Sequence, residues 1–338
     1  MAEKEVEKTG KKGPGWLERQ LGLEMYRVVK GLVTNPVSVA GMVLLGIFLF
    51  VALAAPVLAP PLHADEPYRI PRDGYGPVPK APGTEWRSRQ PEIPFWWKAV
   101  TGKDNWVHLM GTASGQWDIY YGVVWGTRTA LRVGVVITLV GALVGLTLGT
   151  ISAYYGGAVD MVIMRLADIF MAFPGLVFTM TISAVLTPII GKGLFPPMIA
   201  LMIFGWTGFA RLLRSDILTI RQREYVLAAR VIGVRDGRIM FRHILPNAIF
   251  PSMVLASMRI GSYVIQFSAL SFLGIGAEVG YADWGQLLSF ARNWMTQLGD
   301  YWYIVIYPGV ALVLFVLSWN LVGDALRDVL DPRLQGSR

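Results

Sequence analysis

No cysteine occurs among the 338 residues, which excludes disulfides and any metal, haem or cluster site built on thiolates. Histidine is nearly as scarce, and His63, His108 and His243 are scattered without the spacing of a metal-binding cluster. Charge is thin at 16% of residues, against about 25% in soluble proteins. Catalytic signatures are missing as well. There is no phosphate-cradling GxxxxGK[ST], no HExxH and no nucleophile elbow, and Gly191-Lys192-Gly193 lacks the context of a phosphate loop. If ATP powers this protein, another chain binds it.

What is present is apolar. The chain is 54% hydrophobic with a mean hydropathy of +0.47, the composition of an integral membrane protein. Its net charge of +8 does not point to nucleic acid, because the basic residues mostly flank apolar runs, as topology determinants do. Residues 1–35 form a lysine- and glutamate-rich tail, set too far before the first apolar run for a signal peptide. Residues 36–61 carry no charge and exceed the roughly 20 residues a span requires. The polar stretch 62–125 is studded with proline and is expected to be largely extended. Its Trp86, Trp96, Trp97, Trp106 and Trp117 suggest either an interfacial aromatic belt, the commoner arrangement, or a stacking surface for sugars or peptides.

Five more apolar runs follow, near 129–154, 161–187, 195–218, 247–273 and 303–323. Gly141, Gly145 and Gly149 recur every fourth residue, a face along which helices approach closely. Pro174 should bend the third span by removing a backbone donor. Six spans place both termini on one side. The arginine counts put residues 221–242 and both termini, including a short tail over 331–338, in the cytoplasm.

Ionisable groups at bilayer depth are costly and therefore candidates for function. Arg165 and Asp168 are three apart and are expected to form a structural ion pair. Arg259 lies about 18 Å into the fifth span at ~1.5 Å per residue, with no carboxylate of this chain clearly at its depth. Ser252, Ser262, Tyr263 and Gln266 share its helical face and suggest a polar stripe lining a water-accessible path. The competing reading pairs Arg259 with a carboxylate of a partner subunit.

The segment between the fourth and fifth spans is the most distinctive. Residues 221–246 read RQREYVLAARVIGVRDGRIMFRHILP. Glu224 to Ile232 favours a helix with a Val226/Ala229/Ile232 apolar edge, closed by Gly233 where a left-handed backbone is easiest. A second helical piece over 236–244 runs to Leu245-Pro246. The order Ala228, Ala229, Gly233, Leu245, Pro246 resembles the EAA loop of binding-protein-dependent ABC importers. Leu227 departs from the pattern's glutamate and His243 from its isoleucine. The resemblance extends further, through Tyr155-Gly156-Gly157, Asp160, Arg165, Asp168, Phe173-Pro174, Gly205-Trp206 and Ala210-Arg211 to Tyr307-Pro308-Gly309 and Asn320–Asp324. Before the second span only Gly111, Thr112 and Asp118 keep the family's motif. Over roughly 36–334 the chain is similar to the C-type inner-membrane subunit of oligopeptide and dipeptide importers.

That resemblance implies an all-α type I ABC importer permease with a MetI-like core over 126–330 and a coupling loop over 219–246. It makes Glu224, Tyr225, Ala228, Ala229, Arg230, Gly233, Arg238, His243 and Pro246 the contact with an ATPase. Implied partners are a homologous B-type permease, one or two ATPase subunits that carry ATP and Mg²⁺, and an extracytoplasmic solute-binding protein. The chain itself is expected to bind no cofactor and to catalyse nothing. The implied cargo is peptide, with oligosaccharides and nickel chelates carried by similar systems. An ion-coupled secondary transporter would need no ATPase and would show paired repeats, which are not evident. A membrane enzyme would need a reactive constellation.

Overall fold

The computed structural model describes residues 33–88 and 90–330. The expected tails over 1–35 and 331–338 therefore lie outside the described residues, apart from positions 33–35. Among the described residues every regular element is helical: α1 (Pro36–Leu58), α2 (Trp97–Thr101), α3 (Ile119–Tyr155), α4 (Gly157–Ala172), α5 (Gly175–Ile190), α6 (Phe195–Ile220), α7 (Glu224–Val231), α8 (Asp236–Arg238), α9 (Leu245–Ala248), α10 (Phe250–Phe272), α11 (Trp284–Phe290), α12 (Leu298–Tyr301) and α13 (Tyr303–Leu330). Five of them (α1, α3, α6, α10 and α13) are long and apolar enough to cross a membrane, and α4 with α5 makes a sixth span if the bent pair is taken as one.

The third span departs from expectation. Pro174 does not merely bend it: α4 and α5 meet at 93°. Proline forbids helical geometry at the residue before it, and Phe173 is extended (φ −86°, ψ 143°). Each arm has 16 residues, about 24 Å at ~1.5 Å per residue, too short to span ~30 Å of hydrocarbon alone.

The glycine stripe performs as expected. A Cβ on Gly145 would sit 2.5 Å from both Phe209 Cβ and the Trp206 carbonyl, and one on Gly149 2.6 Å from the Ala210 carbonyl. Only hydrogen at those positions lets α3 and α6 touch backbone to backbone. The same device seats α1 on α13, where Gly41 faces Leu321.

α3 begins at Ile119, ten residues before the apolar run, because Asp118 accepts from the Tyr121 N–H at 2.9 Å and caps it. Its first turns project beyond the bundle into a folded cap formed by residues 62–118. Four of the five cap tryptophans are interior rather than in a belt or on a stacking surface; Trp96 is half-buried and donates to the Val57 carbonyl at 2.9 Å. Trp97 and Trp106 are fully buried and stack at 3.9 Å, and Trp86 and Trp117 are buried as well. They form a small core against Tyr121, Trp125, Trp284 and Tyr303 at the ends of the helices. The prolines limit helix in the cap to short pieces such as α2, and burial of aromatic area, with backbone bonds such as the Trp86 N–H to the Trp106 carbonyl at 3.1 Å, holds the extended segments together.

At the opposite end α7, α8 and the turn between Ile239 and Ile244 form a knob. That turn is π-helical, with the Leu245 N–H donating to the Met240 carbonyl. The helical path does not stop at Pro246, which sits in the first turn of the short α9 instead. Proline suits that place because a first-turn N–H has no helical partner.

Candidate functional site

The knob is built as an outward-facing plate on a buried base. Val226 and Ala229 of α7, with Ile239, Met240 and Ile244, pack on Ala153, Tyr154, Leu213 and Ile217 at the ends of α3 and α6. Polar ties fix the plate. Tyr154 donates its hydroxyl to Asp236 at 2.6 Å, and the Arg230 guanidinium lies 4.7 Å from the Tyr154 ring. Arg221 donates to the Ala153 carbonyl at 2.7 Å. Any displacement of α7 must therefore move the ends of α3 and α6.

Gly233 closes α7 as the sequence predicts. Its φ is +77°, its N–H donates to the Arg230 carbonyl, and the Val234 N–H reaches the Ala229 carbonyl, both at 3.0 Å. This is the double-bonded left-handed C-cap. A Cβ at Gly233 would meet nothing within 4 Å, so none of the described residues crowds the position.

The expected apolar edge is only partly inward. Val226 and Ala229 are buried, but Ile232 is 78% exposed and Val231 87% exposed. Ile232 is the capping residue where the chain leaves the helix, so it no longer follows the Val226/Ala229 face. With Tyr225, Leu227 and Ala228 these side chains form an exposed apolar surface. Exposed Glu224, Arg230, Arg235 and Arg238 border it; Pro246 is also exposed, and His243 is half-buried. A contiguous apolar patch with a charged rim is the form of a protein contact.

Ion pairs tie α4 to α6 in a way sequence spacing did not foresee. Asp168 binds Arg211 of α6 at 2.6 Å, while Arg165 forms no ion pair among the described residues. The predicted Arg165–Asp168 pair is therefore corrected. α4 lies on α6 through Ala167, Trp206 and Ala210, which brings Arg211 within reach of Asp168. A second pair, Arg214 with Asp160, is bidentate at 2.5 Å for each bond, and Ser152 donates to the same carboxylate.

The polar face of α10 divides. Ser252 and Tyr263 are buried. Tyr263 donates to the Gly205 carbonyl at 3.2 Å, so its hydroxyl serves the packing of α10 on α6. Arg259, Ser262 and Gln266 are half-buried. The Arg259 guanidinium lies over Gly208 of α6, 3.2 Å from where a Cβ would stand, and makes no ion pair among the described residues.

One polar centre escaped the sequence reading. In the cap, buried His108 contacts Asp118 through Nδ1 at 2.6 Å and Asp73 through Nε2 at 3.1 Å. Asp73 also accepts from Lys80 and from the backbone N–H groups of Arg87 and Ser88. Burial pulls the imidazole toward its neutral form, yet the two carboxylates outweigh it and raise the pKa of His108. Burial likewise opposes ionisation of Asp73, and Lys80, His108 and the two N–H groups overcome it, holding that carboxyl well below its ordinary range. The signal was Asp118 alone, a residue of the motif before the second span; its partner His108 lies 10 residues away, Asp73 a further 35, and no local spacing joins the three.

A family model for the inner membrane component of binding-protein-dependent transport systems matches residues 145–336. The dipeptide transport system permease protein DppC of Alkalihalophilus pseudofirmus is 33% identical over 307 residues, 90% of this chain and 89% of the relative. The glutathione transport system permease protein GsiD of Pectobacterium atrosepticum is 40% identical over 228 residues, 68% of this chain and 73% of the relative. Among solved structures, the inward-facing MetNI methionine ABC transporter aligns with a TM-score of 0.51 and 19% identity, over 62% of this chain and 97% of the other. That last likeness concerns fold alone.

Proposed function

Because this chain belongs to the family of inner membrane components of binding-protein-dependent transport systems, we propose that it is the permease subunit of an ABC importer for short peptides and takes its drive through α7. The peptide cargo rests on the relatives named for dipeptide and glutathione transport. Six spans, counting α4 and α5 as one, leave both termini in the cytoplasm with the knob. The cap then faces outward, toward a solute-binding protein. A homologous B-type permease completes the pathway, and ATP with Mg²⁺ is held by ATPase subunits rather than by this chain.

The observation that carries the coupling role is the two-faced build of α7: a base locked to α3 and α6, and an apolar plate left exposed by the described residues. Closure of an ATPase pair against that plate would rotate the ends of α3 and α6 as a unit and alternate access between the two sides, a rigid-body transition of packed helices. Gly233→Asp tests it. Aspartate tolerates the left-handed conformation better than most residues, and space is open there, so the subunit should reach the membrane. A charge in the docking contact should then leave ATP hydrolysis by the complex while abolishing uptake. Uptake at the parent rate would count against the assignment.

Arg259, Ser262 and Gln266 are proposed to line the pathway. Arg259→Met should preserve assembly and lower uptake of carboxylate-bearing cargo at least tenfold, a loss of about 1.4 kcal/mol or more. Loss of assembly would instead assign Arg259 to a closed contact with the partner permease.

A further inference from the structure

At the cap end a cavity of about 700 Å³ opens between three elements. It lies between the outer half of α3, the turn that leads into α6 and the loop after α10. Its size falls within the ~300–1,000 Å³ of small-ligand sites. Leu194 and Met198 form a buried apolar floor, and Arg132, Lys192, Glu278 and Tyr281 stand around it.

The charges are the informative feature. Neither Arg132 nor Lys192 forms an ion pair among the described residues, and Glu278 forms none there either. Arg132 is oriented without an anion: its guanidinium lies 5.3 Å from the Tyr68 ring. Tyr68 in turn stacks on Tyr281 at 5.2 Å and 3°. The stack holds the cation in place and leaves its donors free. Two cations and one carboxylate around an apolar floor are the charge complement of a molecule that carries a carboxylate, an ammonium and apolar side chains.

We propose that this cavity is an entry subsite for a zwitterionic short peptide, with Arg132 and Lys192 holding its terminal carboxylate and Glu278 facing its ammonium. The inference rests on the peptide-import reading and adds to it a site in this chain. It places the first contact with cargo at the cap end, opposite α7.

The test compares uptake of trialanine and trialanine amide by the assembled transporter with its binding protein. The binding protein is common to all variants, so its own preference cancels in the ratio of variant to parent KM. Arg132→Gln and Lys192→Gln should each raise KM for the free acid about tenfold, the loss of one charge-assisted hydrogen bond. KM for the amide should stay within twofold, and Arg132→Lys should restore much of the difference. Glu278→Gln should raise KM for trialanine and spare its N-acetylated form. An equal shift for acid and amide would overturn the subsite and assign the cavity to contact with a protein partner. A shift that follows the anionic-lipid content of the vesicles would assign it to a headgroup instead. If the parent complex hydrolyses ATP yet takes up neither tripeptide, the peptide reading itself fails and the subsite falls with it.

Discussion

His108 shows how one side chain sets the behaviour of a whole cap. Both ring nitrogens face carboxylates, of Asp118 and Asp73, so the fully protonated ring is the form that satisfies them. Lys80 is the other charged side chain bound to Asp73. A histidine whose folded pKa is raised contributes stability that is fully present below its ordinary value of 6.5 and disappears as pH rises through the folded value. Asp73, depressed, contributes stability above 3.8 that is lost as pH falls through its folded value. The cap should be most stable between these limits. Thermal unfolding followed by tryptophan fluorescence should show a melting point that declines as pH rises through the raised pKa of His108. His108→Gln should remove that alkaline decline and cost about 3–5 kcal/mol, because it leaves buried Asp118 without its counter-charge while Asp73 keeps Lys80. An unchanged alkaline decline in the variant would exclude the histidine as its cause.

Among the elements, α3 and α7 were the most readable. The four-residue glycine spacing of α3 has one physical use, close approach, and α6 is the helix that approaches. Gly145→Val should overpack that contact by about 1–3 kcal/mol or more. Gly46→Val in α1, where a Cβ meets nothing within 4 Å, should be neutral. Detergent melting of the two variants checks this, and equal losses would mean that the α3–α6 contact is not tight. α7 was legible because a left-handed cap leaves a glycine in the sequence. The 93° break between α4 and α5 was legible only as a bend at Pro174, since proline marks where a helix fails but not where the chain goes next. Asp168 was paired with the wrong arginine for a related reason. Spacing along one helix shows which residues can meet, and packing against α6 decides which do.

At the scale of the whole molecule, the hydropathy of the spans fixed the membrane class, because a bilayer demands long charge-free helices and little else in a sequence supplies them. The cap was not legible. Its tryptophans looked like a membrane belt because composition cannot tell a buried ring from an interfacial one, and only the Trp97–Trp106 stack and the surrounding helix ends distinguish them. The result is a bundle with an aromatic-cored cap at one end and an exposed plate at the other; on the proposed function the plate is where a motor pushes and the cap is where a delivery protein docks.

The central claim is that the motor grips the exposed face of α7. The chain has no cysteine, so Ala228→Cys introduces a single thiol on that face, and Phe95→Cys places one on the exposed surface of the cap as a control. Each variant, labelled with a thiol-directed photo-crosslinker, is irradiated in the assembled transporter. The account predicts a covalent product with an ATPase subunit from position 228 and none from position 95. An intact complex that yields no ATPase adduct at 228, or yields one at 95, would contradict it.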